Sequence, residues 1–174
     1  IRNFIETDLS GVLFINFVPG FIHRPEKYLE GLSDTAQALG LAARHIALDI
    51  TNAEQSLADV HLRAIFDYCL SKGYAVALDD IDSVDAARHL LQVGKPDYMK
   101  LGMRLVQQVE KPNNRRTVEH LVELARNAGC TVLAEGVESE EIYTALKKAG
   151  VDLFQGYYFS PPMEADKVSR KEVS

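Results

Sequence analysis

The chain has 174 residues, 47% hydrophobic and 25% charged, with a formal net charge of −6. These values are typical of one soluble globular domain with a substantial core. Because the charge is negative and forms no block of like sign, we expect no nucleic acid polymer and no anionic membrane surface as a partner. A small phosphate ligand that is held locally, for example by a metal ion, remains compatible with this composition.

The cysteines and the apolar runs indicate a cytoplasmic protein. Cys69 and Cys130 show no metal-ligand spacing, so we expect buried thiols in a reducing cytoplasm. No apolar run approaches the length that inserts into a membrane, and no secretory signal is visible.

Short apolar runs alternate with segments of helical period along the chain. The apolar runs predict strands at Val12–Val18, His45–Ile50, Tyr74–Leu78, Asp97–Leu101, Thr131–Ala134 and Val151–Phe154. The helical spacing predicts helices at Pro25–Leu39, Leu57–Leu70, Asp82–Leu91, Asn113–Asn127 and Glu140–Lys148, with a shorter helical pattern at Ile1–Leu9. No linker interrupts these βα units, so we predict one α/β domain over residues 1–174, built on a parallel sheet. The sheet is either open and doubly wound or closed into a barrel.

Polar side chains stand at or near the end of every predicted strand. They are Asn16, Asp49, Asp79, Asp80, Lys100, Glu135 and Gln155. An open sheet gathers function at one switch point, but a barrel rim collects groups from several strands, so this distribution favours a barrel. Carboxylate and amide oxygens suit Mg²⁺ or Mn²⁺ better than zinc. Together with a lysine and an extra glutamate, they suggest metal-assisted phosphoester chemistry.

Each of these residues also has a purely structural interpretation. These are a helix cap or turn for Asp79 and Asp80, a loop contact for Asn16, a hydrogen bond to Thr51 for Asp49, a surface position for Lys100, a helix cap for Glu135 and a turn for Gln155. Six independent coincidences explain the pattern less simply than one shared site does.

Four motifs in order and spacing resemble the EAL-domain family of cyclic-di-GMP phosphodiesterases and their catalytically degenerate relatives. They are Ala77-Leu-Asp-Asp80, Met99-Lys-Leu101, Ala134-Glu-Gly-Val-Glu138 and Gln155-Gly-Tyr-Tyr-Phe-Ser-Pro-Pro162. The resemblance extends from Val12 to Pro162. It implies a TIM-like (βα) barrel whose rim holds two divalent metals and the cyclic dinucleotide.

The resemblance also implies individual roles. It implies metal ligands at Asn16, Asp49, Asp79 and Asp80, a role for Lys100 and Glu135 in positioning and activating the attacking water, and a place beside the metal site for Gln155. Aromatic groups such as Tyr158 and Phe159 are expected to hold the bases of the dinucleotide without a metal.

The departures from the family pattern matter equally. The Glu-Ala-Leu strand and the strand before it are not in this chain, so we expect a partial barrel with six parallel strands of eight. Asp49 replaces a glutamate, and Asn52 stands where a second glutamate normally steadies the neighbouring loop. The loop after Asp80 lacks both glycines of the family pattern, and Gly102 stands where the Lys-x-Asp motif has its aspartate.

Three hypotheses follow from this balance. The first is a degenerate domain in cyclic-di-GMP signalling that acts as a regulatory, ligand-binding or partner-binding module with little or no hydrolysis. The second is an active phosphodiesterase that uses Mg²⁺ or Mn²⁺ and whose missing strands lie outside this sequence. The third is an unrelated barrel enzyme that uses the same rim. Expected partners are cyclic-di-GMP, other signalling domains or proteins, and a second copy bound through Val84–Leu91 and Met103–Val118.

Overall fold

The computed structural model describes residues 11–17, 25–51 and 58–164, without the side chains of residues 25–28. The helical pattern at Ile1–Leu9, the position of Asn52 and the polar tail beyond Glu164 lie outside the described residues.

Strands and helices alternate through the described residues. The strands are β1 (Leu13–Phe17), β2 (Ile46–Ile50), β3 (Ala75–Ile81), β4 (Tyr98–Leu101), β5 (Thr131–Ala134) and β6 (Leu153–Phe154). The helices are α1 (Pro25–Ala38), α2 (Asp59–Lys72), α3 (Val84–Val93), α4 (Met103–Gln107), α5 (Pro112–Ala128) and α6 (Glu140–Lys148), and a 3₁₀ turn at Ala43–His45 precedes β2.

The six strands form one parallel sheet in the order β1-β2-β3-β4-β5-β6. This confirms the predicted parallel α/β architecture. Among the described residues the sheet is not closed, because no pairing joins β1 to β6. The fold is therefore a TIM-like barrel in six-stranded, open form.

A ring contact between β1 and β4 shows how strongly the sheet curls. The ring centroids of Phe14 and Tyr98 lie 5.1 Å apart, although two strands separate β1 from β4. In a flat sheet, positions three strands apart would be about 14 Å from each other. The inner face of the sheet therefore closes on itself as the inside of a barrel does.

The helices cover the outer face of the sheet. On β2, Ile46, Leu48 and Ile50 are fully buried on this side. Helix α5 buries Val118, Leu121, Val122 and Ala125, the i, i+3, i+4, i+7 face that its sequence predicts. The core therefore lies between sheet and helices, and the polar groups are left to the inner face and rim.

Several predicted boundaries were wrong. Strand β3 continues to Ile81, so Asp79 and Asp80 lie within the last residues of the strand rather than after it. Helix α3 begins at Val84 because Ser83 caps it, with its hydroxyl accepting from the Ala86 N–H at 3.3 Å. Helix α4 was not predicted, since five residues show too little periodicity to be recognised. Strand β6 begins at Leu153, two residues later than expected.

Both cysteines are buried free thiols, as predicted. Burial raises the pKa of Cys69 and of Cys130 to about 12, so both remain protonated and unreactive at neutral pH.

Candidate functional site

The strand register places most of the predicted site residues on the inner face of the sheet. Asn16 is paired with Asp49 across β1 and β2, and Asp49 is paired with Ala77, two residues before Asp79. On the other side, Lys100 is paired with Leu133, two residues before Glu135. Because alternate residues of a strand share a face, these side chains point toward the same interior.

The Lys100 side chain collects three carboxylates at the carboxyl end of the sheet. Its Nζ lies 2.5 Å from Asp49 Oδ2, 2.6 Å from Glu135 Oε1 and 3.3 Å from Asp79 Oδ1. Lys100 is only 6% exposed, so its interpretation as a surface lysine was wrong. Strands β2, β3 and β4 contribute Asp49, Asp79 and Lys100, and Glu135 directly follows β5; we call these four residues the Lys100 cluster.

An aromatic ring covers the lysine within the barrel. Phe14 of β1 lies with its ring centroid 5.9 Å from Lys100 Nζ, within the range of a cation–π contact. Phe14 is not among the predicted site residues. The signal was available, because Phe14 lies two residues before Asn16 and alternation puts both on one face.

Charge and burial oppose each other in the Lys100 cluster. Burial by itself lowers the pKa of Lys100, but the hydrogen bonds to Asp49 and Glu135 outweigh burial and raise the pKa above its ordinary value. Burial raises the pKa of Asp49, and the hydrogen bond to Lys100 offsets only part of that rise. The lysine is therefore a permanent cation at neutral pH.

Asp49 is the most enclosed member of the cluster. The residue is 1% exposed, and its Oδ2 accepts a hydrogen bond from Lys100. Its Oδ1 is also buried and has no hydrogen-bond partner in the part of the chain that the structure describes. An oxygen of this kind is costly unless a donor or cation satisfies it. The predicted hydrogen bond to Thr51 is not the one that Asp49 makes.

The Asp79–Asp80 pair lies at an irregularity of β3. The pairing with β4 shifts between Leu78 and Ile81, and Asp80 has a φ of 58°. The Asp80 N–H donates to Asp79 Oδ1 at 2.9 Å. Desolvation raises the pKa of Asp80, and the charges of Asp79 and Asp82 raise it further. This local bulge turns Asp80 away from the ladder and leaves it exposed.

Two structural interpretations of the acidic residues were wrong. Ser83, rather than Asp79 or Asp80, caps helix α3. Ser139, rather than Glu135, caps helix α6, with its hydroxyl accepting from the Ile142 N–H at 3.3 Å. Because serines cap both helices, Asp79 and Glu135 are free of that role and contact Lys100 instead.

Asn16, Gln155, Tyr158 and Phe159 are not members of the Lys100 cluster. Asn16 and Gln155 are both exposed at the ends of their strands. Tyr158 stacks on Tyr143 of helix α6 with ring centroids 5.8 Å apart, and Phe159 meets Tyr143 edge-on at 5.5 Å. Tyr158 and Phe159 are 41% and 44% exposed, so both side chains remain partly accessible to solvent.

Two glycines allow the rim loops to pack closely. A Cβ on Gly156 would lie 2.1 Å from the Val137 carbonyl oxygen, and one on Gly136 would lie 2.8 Å from Met103 Cγ. Gly136 also has a φ of 70°, which favours glycine. Gly156 and Gly136 directly follow Gln155 and Glu135. Because these glycines carry no side chain, the loops can pack closely enough to hold Gln155 and Glu135 where they lie.

The donor set at this rim suits a hard divalent cation that is bound with few protein ligands. Carboxylate oxygens of Asp79 and Asp80 and the amide of Asn16 are partly or fully exposed there. Across residues 11–17, 25–51 and 58–164, however, no three carboxylate, histidine or cysteine side chains are grouped so as to hold a metal ion. Mg²⁺ commonly binds through one or two carboxylates together with substrate phosphates. Asp79 and Asp80 fit that arrangement.

Fold and rim together define a parallel α/β barrel-type protein with an acidic, lysine-centred site at the carboxyl ends of its strands. Residues 6–162 match the EAL domain family. The chain belongs to the EAL domain family.

Curated relatives and solved structures agree with this assignment. The chain is 32% identical over 123 residues to the cyclic di-GMP phosphodiesterase PdeL of Escherichia coli, which covers 70% of this chain and 34% of PdeL. It is 26% identical over 149 residues to the biofilm architecture maintenance protein MbaA of Vibrio cholerae, covering 86% of this chain and 17% of MbaA. The chain thus spans about a third of the length of PdeL and about a sixth of that of MbaA.

Two solved structures share the fold closely. A standalone EAL protein from Vibrio cholerae in its c-di-GMP bound form has a TM-score of 0.83 and 29% identity, covering 94% of this chain and 69% of that one. Klebsiella pneumoniae BlrP1, solved as a manganese/c-di-GMP complex, has a TM-score of 0.83 and 28% identity, covering 92% and 42%. Among the described residues, no helix of this chain is long and apolar enough to cross a membrane.

Proposed function

We propose that this chain binds cyclic-di-GMP at the rim around Lys100 and hydrolyses it little or not at all, so that it serves as a regulatory or ligand-binding module. Family membership and the c-di-GMP bound relatives support the choice of ligand. The observation that carries the loss of hydrolysis is the enclosure of Asp49. One of its oxygens contacts Lys100, and the other is buried.

The proposal assigns the cation to Asp79 and Asp80. Mg²⁺ or Mn²⁺ bound there would neutralise phosphate charge and polarise the phosphoryl group. Lys100 holds Glu135 at 2.6 Å and Asp79 at 3.3 Å, so one ammonium orients both a candidate base and a candidate ligand. The shorter side chain of Asp49, drawn onto Lys100, supplies no oxygen for a second cation. Two-ion hydrolysis needs both sides of the phosphate clamped, so it loses more than binding does.

Tyr158 and Phe159 are assigned to the bases of the dinucleotide. Each exposes a substantial part of its ring while the other part packs on Tyr143. A ring that is fixed in this way can stack with a base at little entropic cost. Binding through such contacts does not require a complete metal site.

A second candidate function is an active phosphodiesterase. The contact between Lys100 and Glu135, which would position the attacking water, is intact. PdeL, a relative at 32% identity, is named as a phosphodiesterase. This candidate predicts release of the linear dinucleotide, and that assay separates it from the first.

Calorimetry on the full chain tests the binding proposal. Cyclic-di-GMP is titrated with Mg²⁺ or Mn²⁺ present into the unaltered chain, Asp79→Asn and the control Asp67→Asn, whose side chain is exposed on helix α2. We expect binding to the unaltered chain and to Asp67→Asn, and about tenfold or weaker binding to Asp79→Asn. No binding heat from the unaltered chain, or equal affinity of all three proteins, would show that the ligand does not bind at this rim.

A further inference from the structure

The backbone of Asp80 adopts a conformation that side chains rarely take. Its φ of 58° makes it the one residue other than glycine with positive φ among the described residues. The strand register shifts at the same place, between Leu78 and Ile81. An L-residue in this region is strained by about 1 kcal/mol or more unless its surroundings hold it there.

Asp80 lies against Gly102, the residue that follows strand β4 and caps helix α4. Gly102 is buried, and its N–H donates to the Ile81 carbonyl at 2.9 Å. A Cβ added to Gly102 would lie 2.9 Å from Asp80 Oδ1 and 3.3 Å from the Asp82 Cβ. Real Cβ atoms do not approach an oxygen so closely without displacement. The Asp80 carboxylate therefore occupies space that exists only because residue 102 has no side chain.

We propose that Gly102 is a positioning residue for Asp80, and that the absence of its side chain sets where the Asp80 carboxylate meets a divalent cation. The inference deepens the proposed function and rests on it for the cation. The family pattern has an aspartate at this position, so the sequence alone indicates only that Gly102 has lost a carboxylate. The contact with Asp80 gives it a role of its own.

Among Asp49, Asp79, Asp80 and Glu135, Asp80 is the carboxylate that forms no ion pair with Lys100. Lys100 forms its ion pairs with Asp49, Asp79 and Glu135. Asp80 is exposed at the rim, and its carboxylate is therefore accessible to an ion from solvent. Moving one ligand by an ångström is enough to weaken a site of few protein ligands.

A double-mutant cycle on the metal-free full chain tests the contact itself. The thermal midpoint is measured for the unaltered chain, Gly102→Ala, Asp80→Gly and the double variant. Glycine at position 80 accepts the positive φ and removes the crowded oxygen. We expect Gly102→Ala to lower the midpoint, and to lower it less than half as much when Asp80 is replaced by glycine. Equal effects in the two backgrounds would overturn the proposed coupling.

Manganese binding tests the consequence for the site. Mn²⁺ alone is titrated by electron paramagnetic resonance at a temperature where each protein is folded. We expect Gly102→Ala to weaken Mn²⁺ binding by the unaltered chain about 10- to 100-fold. In a chain that already carries Asp80→Gly, we expect Gly102→Ala to leave the Mn²⁺ affinity unchanged. The control is Gly31→Ala on helix α1, where an added Cβ meets nothing within 4 Å, and its affinity should equal that of the unaltered chain.

The outcomes separate this inference from the proposed function. Mn²⁺ affinity of Gly102→Ala within twofold of the unaltered chain, or no Mn²⁺ binding by the unaltered chain, would overturn the inference. A purely structural role for Gly102 would lower the thermal midpoint without changing the affinity of the folded protein. If the expected Mn²⁺ differences appear while calorimetry shows no cyclic-di-GMP binding, the inference stands and the proposed ligand is wrong.

Discussion

The carboxylate of Asp49 lies 2.5 Å from the ammonium of Lys100, although 51 residues separate them in sequence. The two side chains come from strands β2 and β4 and meet inside the barrel, with Glu135 of the β5 end at 2.6 Å from the same ammonium. One buried cation therefore balances carboxylates from both sides of β3. This arrangement is the basis of the predictions that follow.

Removing the lysine should destabilise the fold more than removing any exposed lysine does. Lys100→Met leaves Asp49 buried without its partner, and breaking a buried ion pair on one side costs about 3–5 kcal/mol. Lys95→Met, at an exposed position, is the control. Urea unfolding measures both variants. Adding Asp49→Asn to Lys100→Met should recover part of the loss, and additive effects of the two changes would contradict the pairing.

Asp49 should make stability depend on pH in a defined direction. Its pKa in the folded protein lies above the ordinary value of 3.8, so folding strengthens proton binding. Its contribution to stability is fully present below pH of about 4 and is lost as pH rises through the folded-state pKa. The free energy of unfolding of the chain minus that of Asp49→Asn should therefore fall as pH rises above about 4. A flat or rising difference would show that burial does not govern this carboxylate.

A methyl group at Gly156 should disturb the loop that follows β6. The added Cβ would lie 2.1 Å from the Val137 carbonyl oxygen and 2.4 Å from the Val137 nitrogen, so the backbone must move. We expect Gly156→Ala to lower the free energy of unfolding by about 1–3 kcal/mol. Gly31→Ala, in open space, should be neutral or stabilising. Unchanged stability of Gly156→Ala would mean that the two loops are not packed as described.

The sequence predicted the strands and helices of the fold well, but it did not predict every element boundary. Apolar runs such as Ile46–Ile50 and the amphipathic face of α5 identified strands, helices and parallel order, because burial imposes a period on the residues themselves. The end of β3 was missed, because two aspartates read as a turn, although the pairing with β4 resumes beyond them at Ile81. Hydrogen bonding to a neighbouring strand does not change the pattern of apolar residues within a strand, so that pattern could not show where β3 ends.

The site was predicted less completely than the fold. Strand-end positions selected Lys100 and Glu135, but they could not show that Lys100 is buried and bonded to Asp49. That contact depends on the curl of the whole sheet, which also brings Phe14 to Tyr98. Likewise, Gly102 reads as the loss of an aspartate, and only its distance to Asp80 Oδ1 indicates a function.

Self-association through Val84–Leu91 of helix α3 and the stretch Met103–Val118 stays a prediction. Met103 is 54% exposed on this stretch and Arg88 is exposed on α3, so both offer surface to a second copy. Light scattering over a range of concentrations should show a dimer that is weakened by Met103→Glu. Gln92→Glu adds the same negative charge at the carboxyl end of α3, beyond the predicted interface at Leu91, and serves as the comparison. A monomer at every concentration would rule out this interface as a stable one.

Release of the linear dinucleotide tests the central claim most directly. The full chain is incubated with cyclic-di-GMP and Mg²⁺ or Mn²⁺ beside PdeL as a positive control, with Glu135→Gln as the blank for rim-dependent turnover. We predict that the unaltered chain binds the ligand in calorimetry but releases product no faster than Glu135→Gln does. A metal-site carboxylate that is enclosed, as Asp49 is, withholds a few kcal/mol of transition-state stabilisation, which amounts to about 10²- to 10³-fold in rate. Turnover comparable to that of PdeL, abolished by Glu135→Gln, would contradict the account and identify the chain as an active phosphodiesterase.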